Sequence, residues 1–488
     1  MNIRFRPLLA AALCIATLAP PGAEAQFPDA DLDALRAEIA ALRQQYETRV
    51  HELELRIEQL EATQSASALP SDTAAAAAGA ATEAVVAAVP ADAAVPADAG
   101  GGAAPSRGSA FNPAISAILT GTYSNLSQSP EDYAIAGFFP AGDEGGPGER
   151  GFSLGESEVT FAASVDPYFS AALTAALTGD GELEVEEAFA RTTALPAGLS
   201  VKAGRFFSGI GYLNEVHAHA WDFADQPLVY QAFFGGQLAQ GGAQVKWLAP
   251  TPLFLEFGAD AGNGDAFPGT RGDGNGLETC TLFAHLGGDI GDSVGWRAGL
   301  SWVDADATDR EYADVDALGS PVTNAFTGGS RTWIVDATFK YAPGGDARRH
   351  ALHLQAEYMR REEDGRLAYD PGGAALDGSF DSRQDGWYAQ AVYRFAPRWR
   401  AGLRYDALDA GDSRIGLVRD GTLSAAGFPL LRPATPSRVT LMADWSPSEF
   451  SRLRAQYALD DARDTDSADE QWLLQYIYAI GAHGAHRF

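Results

Sequence analysis

The chain has 488 residues, 46% of them hydrophobic, with 53 Gly and with 65 acidic against 35 basic side chains, for a formal net charge of −30. That surplus of carboxylates excludes nucleic acid as a partner, because phosphate binding needs a basic footprint. The two cysteines, Cys14 and Cys280, exclude a disulfide framework.

Arg4 and Arg6 precede an apolar run from Leu8 to Leu18, followed by Pro20, Pro21 and Gly22 and by Ala23-Glu24-Ala25. This is the pattern of a secretory leader over 1–25, cleaved at the A-x-A site before Gln26. Leu13 is too large to precede a lipidated cysteine, so Cys14 leaves with the leader and Cys280 remains as a free thiol. Residues 26–64 carry Leu32, Leu35, Ile39, Leu42, Tyr46, Val50, Leu53, Ile57 and Leu60, a heptad seam with one stutter between Tyr46 and Val50. Charged residues fill the other positions, and the spacing predicts an α-helical coiled coil. Residues 65–110 are Ala, Pro, Gly, Ser and Asp with almost no large side chain, so they cannot bury enough surface to offset the cost of ordering them. They read as a disordered linker.

From residue 111 to 488 the chain breaks into segments of about ten residues with apolar side chains at alternate positions. Trp333, Val335, Ala337, Phe339 and Tyr341 share one face; Thr332, Asp336, Thr338 and Lys340 share the other. Sixteen such segments follow one another. Breaks after every second segment are short, as at Asp166-Pro167, while most of the others are long and rich in Gly and Asp, as at 125–151, 210–236, 304–330 and 362–383. Short turns on one rim and long loops on the other are the organisation of an outer-membrane barrel with its short turns in the periplasm. The expected fold is all-β: a sixteen-stranded antiparallel transmembrane β-barrel with an N-terminal α-helical coiled coil and a disordered linker. An even strand number returns both termini to the periplasm, where the coiled coil would hang.

Phe111-Asn112-Pro113-Ala114-Ile115-Ser116 leading into Gly121-Thr122-Tyr123, and Val201-Lys202-Ala203-Gly204-Arg205-Phe206 followed by Gly211, resemble phrases of the phosphate-selective and related outer-membrane porins. That resemblance implies passive diffusion of small polar or ionic solutes, a homotrimer, lipid and lipopolysaccharide around the barrel, and recognition of Phe488 by the barrel assembly machinery. Two features depart from it. Residues 111–488 hold 28 bases and 51 acids, where phosphate selectivity calls for basic rings, and His486 stands where a second aromatic is usual.

In the general porin plan the third long loop folds into the lumen and narrows it. Here that loop, 210–236, carries Glu215, His217, His219, Trp221, Asp222, Phe223, Asp225 and Tyr230. Positions assigned inward by alternation separate by sign. Glu156, Glu158, Glu184 and Glu186 come from early strands, and Arg394, Arg400, Arg404, Arg452 and Arg454 from late ones. Two such walls would set a transverse field across a constriction; charges pairing across the lumen and merely stiffening the wall is the competing reading. The pairs His217/His219 and His483/His486 suggest metal as an alternative. Chains of this type are sometimes labelled zinc-regulated or TonB-dependent receptors, but such receptors use about 22 strands and a globular plug, and no plug precedes this barrel. No cofactor is expected beyond divalent cations bridging acidic outer loops to lipopolysaccharide. An enzyme is not expected: no G-x-S-x-G, H-E-x-x-H or Walker pattern occurs. A third reading makes the coiled coil an envelope tether and the barrel its anchor.

Overall fold

The computed structural model describes residues 113–141, 146–178, 181–270, 276–465 and 467–481. The expected leader, coiled coil and linker, and the terminal His483, His486 and Phe488, lie outside the described residues.

Sixteen long antiparallel strands form one sheet closed on itself. They are β1 (Ala114–Leu126), β2 (Ser157–Ser164), β3 (Phe169–Leu177), β4 (Leu183–Thr192), β5 (Leu199–Phe207), β6 (Ala239–Leu248), β7 (Phe254–Gly262) and β8 (Thr279–Ile290) in the first half. The second half is β9 (Val294–Val315), β10 (Pro321–Tyr341), β11 (Ala351–Tyr369), β12 (Leu376–Ala396), β13 (Trp399–Asp409), β14 (Ser437–Ser448), β15 (Ser451–Asp460) and β16 (Asp469–Gly481). Two short strands, Gly151–Ser153 and Arg414–Ile415, pair at the edges of longer ones. Closure is the ladder from Ser116↔Gly481 to Leu126↔Gln471 between β1 and β16, which leaves no open sheet edge among the described residues.

Side-chain alternation sorts the faces. Trp333, Leu403, Leu441 and Trp472 are exposed on the outside, whereas Asp336, Arg404, Thr440 and Gln471 are buried inside. Trp399 stacks on Trp445 at 6.0 Å, both next to short turns, where an aromatic girdle belongs. Cys280 is an exposed free thiol on β8.

Two expected loops are strands. Residues 304–330 and 362–383 read as polar connections, yet β9 to β12 run for 22, 21, 19 and 21 residues and turn within 316–320 and 370–375. In Met359-Arg360-Arg361-Glu362-Glu363-Asp364 the alternation persists with charges: Met359, Arg361 and Glu363 are buried, and Arg360, Glu362 and Asp364 are not. A pattern search weighted by apolarity cannot see it. The inner side of these tall hairpins is filled by Phe139, Tyr312, Phe326, Phe380 and Phe428, with Arg310 held over the rings of Phe139 and Phe326 at 4.6 and 4.7 Å.

Candidate functional site

The connection between β5 and β6, residues 208–238, folds into the barrel and supplies its core. Asn214 staples its two legs: Nδ2 donates to the carbonyls of Ser208 and Leu238 at 2.8 and 3.1 Å, and Oδ1 accepts from the Leu238 amide at 2.7 Å. Glu357 on β11 then receives the loop. Its carboxylate accepts from the amides of Tyr212 and Leu213, both at 3.1 Å, and from the hydroxyls of Tyr230 and Tyr388 at 2.9 and 2.6 Å. Four donors on one buried carboxylate make a strong, geometrically specific anchor. Gly211 has φ +59°, and a Cβ there would lie 2.3 Å from Glu357 Oε2, so both backbone conformation and space require glycine.

Gln226-Pro227 starts a short helix, α1 (Leu228–Phe234), every residue of which is buried. Asp406 accepts from the Leu228 amide at 3.0 Å, Gly235 closes the helix in the left-handed conformation, and Arg361 donates to the carbonyls of Ala232 and Phe233 at 3.2 and 3.4 Å. Both helix ends therefore find wall partners for backbone groups the helix itself leaves unpaired. Ile210, Leu228 and Phe233 pack with Phe138 of the β1–β2 connection and with inward-facing Phe283, Ile334 and Met359.

Residues 221–226 lie against the arginines. Asp222 accepts from Arg400 at 2.8 Å and pairs with His353 Nδ1 at 3.0 Å. Asp225 meets Arg404 and Arg438 at 3.0 Å each and accepts from Gln456 at 2.7 Å. Arg454 and Arg452 donate to the Trp221 carbonyl at 2.8 and 3.4 Å. Burial by itself would raise the Asp222 carboxyl, but the His353 hydrogen bond and the Arg400 guanidinium hold it far below the ordinary carboxylate range. Asp225 is buried too, and Arg404 and Arg438 likewise hold it low. Arg394 faces Arg400 across the ladder and donates to the Pro397 carbonyl at 3.2 Å.

This wall is not purely basic. Asp406, Asp444 and Asp460 face inward beside the arginines, and the cross-strand partners Arg400↔Asp444, Asp406↔Arg438, Arg438↔Asp460 and Asp444↔Arg454 place opposite charges side by side, a stabilising arrangement. Arg438, Asp406, Asp444 and Asp460 went unnoticed in the sequence, although the alternation that selects Arg404 and Arg454 selects them as well. Six guanidiniums (Arg394, Arg400, Arg404, Arg438, Arg452 and Arg454) against these three carboxylates leave an excess of three positive charges. Asp222 and Asp225 reduce it to one.

The acidic patch gathers around the loop's histidines. His217 Nδ1 lies 3.3 Å from Glu158 and 3.2 Å from Glu186, and its Nε2 lies 3.2 Å from Glu187. His219 Nδ1 is 2.6 Å from Glu158, and the two imidazoles stack at 5.8 Å. Glu156 contacts Glu186. Glu184, grouped with these in the sequence, is exposed and stays outside the cluster, and Glu187 takes the place expected for it. The reason is a β-bulge: pairing jumps from Thr174↔Glu187 to Ala175↔Val185, so Glu186 is an extra residue and both it and Glu187 reach the inside. Glu215 belongs to neither patch; it pairs with Lys246 of β6 at 2.8 Å.

The two patches do not face each other across a diameter. Strand β15, with Arg452 and Arg454, is followed round the ring by β16, β1 and β2, so about 15 Å of sheet separates it from Glu158 at 4.8 Å per strand. Inward-facing Ile118, Ile477 and Ala479 make an apolar strip between them. The loop bridges this closure seam, touching the acids at 217–219 and the arginines at 221–226.

Sixteen antiparallel strands closed on themselves, apolar outward and polar inward, with a connection folded into the lumen, define a porin-like transmembrane β-barrel. Over 356 residues the chain is 32% identical to an uncharacterized protein of Aquifex aeolicus (strain VF5), covering 70% of this chain and 71% of that one, and it belongs to the family of that protein. No family model matches it. Among solved structures it is similar to in-vitro folded OmpT, an outer membrane protein of Vibrio cholerae (12% identity, TM-score 0.47, 75% of this chain and 96% of that one). It is also similar to an anion-selective porin from Comamonas acidovorans (10%, TM-score 0.44, 75% and 98%) and to Pseudomonas putida OprB (14%, TM-score 0.42, 76% and 94%).

Proposed function

We propose that the protein is an outer-membrane porin through which small polar or ionic solutes diffuse past a constriction made by residues 208–238 and the arginine patch. The single observation that carries this reading is the loop itself: its anchors, Glu357, Asp406, Arg400 and Arg404, are inward-facing wall residues, and its charged side chains meet charges on the wall. Such an element fixes the bore and the local potential together. The constriction residues are Asp222, Asp225, Arg394, Arg400, Arg404, Arg452 and Arg454, with Glu215, His217 and His219 on the flanking stretch of the loop. The sixteen strands favour this reading over TonB-dependent metal uptake, which uses about 22. Three copies embedded in lipid and lipopolysaccharide, with the coiled coil in the periplasm, complete the proposal.

Planar-bilayer recording on the refolded protein is the test. Stepwise conductance with a solute-size cut-off is the expected result. A folded barrel that leaves the bilayer at its baseline conductance would mean that the loop seals the lumen, and the porin reading would be lost.

A further inference from the structure

We propose that His217, Glu158 and Glu186 form a binding site for a zinc-class divalent cation on the inner wall. One donor atom from each lies within 4.8 Å of the others, and the two separations from His217 Nδ1, 3.3 Å to Glu158 Oε2 and 3.2 Å to Glu186 Oε2, match the edge of a tetrahedron built on zinc bonds of about 2.0–2.1 Å, which is about 3.3 Å. Two edges already have the required length, and the third, between the glutamate oxygens, is within 4.8 Å.

The surroundings are those of a metal ligand set. The far nitrogen of His217, Nε2, faces Glu187 at 3.2 Å, so a metal on Nδ1 would leave Nε2–H donating to a carboxylate, the outer contact that orients and strengthens a ligating imidazole. His219 holds the second oxygen of Glu158 at 2.6 Å, leaving Oε2 turned toward the triangle. Water would complete the fourth position, as it does where three protein groups hold zinc. Imidazole with carboxylate oxygens suits zinc rather than magnesium or calcium, which take oxygen alone.

Binding is read without conductance, so this proposal stands or falls apart from the porin reading. The full chain, refolded in detergent and stripped with a chelator, is dialysed to equilibrium against Zn²⁺ with excess Mg²⁺ to occupy the outer carboxylates. A His483→Ala/His486→Ala background silences the terminal pair. One zinc per chain is expected. His217→Ala and Glu186→Gln should each weaken binding at least 100-fold, and Glu187→Gln by about 10- to 100-fold, with band-shift on heating reporting that each variant is folded. Zinc fully displaced by Mg²⁺, or His217→Ala and Glu186→Gln variants that bind as the parent does, would overturn the proposal in favour of a protonated His217 paired with carboxylates. Should a variant not fold, X-ray absorption on the zinc-loaded parent decides. Imidazole scattering in a shell at about 2.0–2.1 Å supports the site, and an all-oxygen six-coordinate shell overturns it.

Discussion

Replacing Asp222 and Asp225 together by Asn keeps the shape of both side chains and removes two negative charges from the face of the loop that meets the arginines. The excess positive charge there rises from one to three. For an ion passing about 6 Å away in water, each charge contributes about 0.7 kcal/mol, and screening at 0.1 M salt reduces this to about 0.4. Two charges are then worth about 0.8 kcal/mol, roughly a fourfold gain for an anion and a similar loss for a cation, so the permeability ratio should move about fifteenfold toward anions. The loop should stay in place, because Asn214, Glu357 and Arg361 hold it through contacts that do not involve either aspartate. Reversal potentials across a salt gradient, recorded for parent and variant, read the effect directly as a shift of tens of millivolts at nearly unchanged conductance. A shift of no more than a few millivolts would show that permeating ions do not pass this stretch of the loop. A large rise in conductance would show instead that the aspartates position the loop.

Glu357→Gln should loosen the loop by about 1–3 kcal/mol, since one amide oxygen cannot serve the four donors the carboxylate now satisfies; faster proteolysis within 208–238 with an intact barrel is the readout. Leu441→Arg, on the exposed outer face, should cost about 2–4 kcal/mol if it lies at the midplane. Its neighbour Thr440→Val should cost less than about 1 kcal/mol, because the buried Thr440 hydroxyl has no partner among the described residues; equal penalties in urea unfolding would refute the assignment of faces. Lowering pH should leave the loop closed through the ordinary carboxylate range near pH 4. Asp222 and Asp225 have depressed pKa values in the folded state, so their contribution is present above the unfolded value and is lost only as pH falls through the lower folded one. Loop proteolysis that already rises at pH 4–5 would contradict this.

Much of the barrel is legible in the sequence because lipid on one side and water on the other enforce a period of two, and Trp333, Leu403 and Leu453 obey it. Legibility fails where that enforcement stops. In the tall hairpins the outward positions are charged, so Arg360-Arg361-Glu362-Glu363 keeps its alternation without apolar residues. At the bulge in β4 one additional residue reverses the faces, which hid Glu187 behind Glu184. The loop's inward course is suggested by its aromatic content, but its latch is not: Glu357 lies 127 residues or more from its loop donors Tyr230, Leu213 and Tyr212, and nothing local marks it. Arg438, by contrast, is open to the same count, standing two residues before inward-facing Thr440.

The loop belongs to the first half of the chain, while most of what holds it belongs to the second: Asp225 waits for Gln456 across 231 residues and Asp222 for Arg400 across 178. During assembly the segment 208–238 therefore exists long before its binding surface does. Contacts of such sequence separation form slowly, and a half-built sheet would carry Phe233, Tyr230 and two carboxylates with no cavity to receive them. The last strands consequently do more than complete a ring. As β16 meets β1 they deliver the arginines to a loop already waiting, so ring closure and loop capture become one event, and a chain truncated before β13 keeps Glu357 and Arg361 but loses the arginine partners of Asp222 and Asp225 together with that stretch of wall.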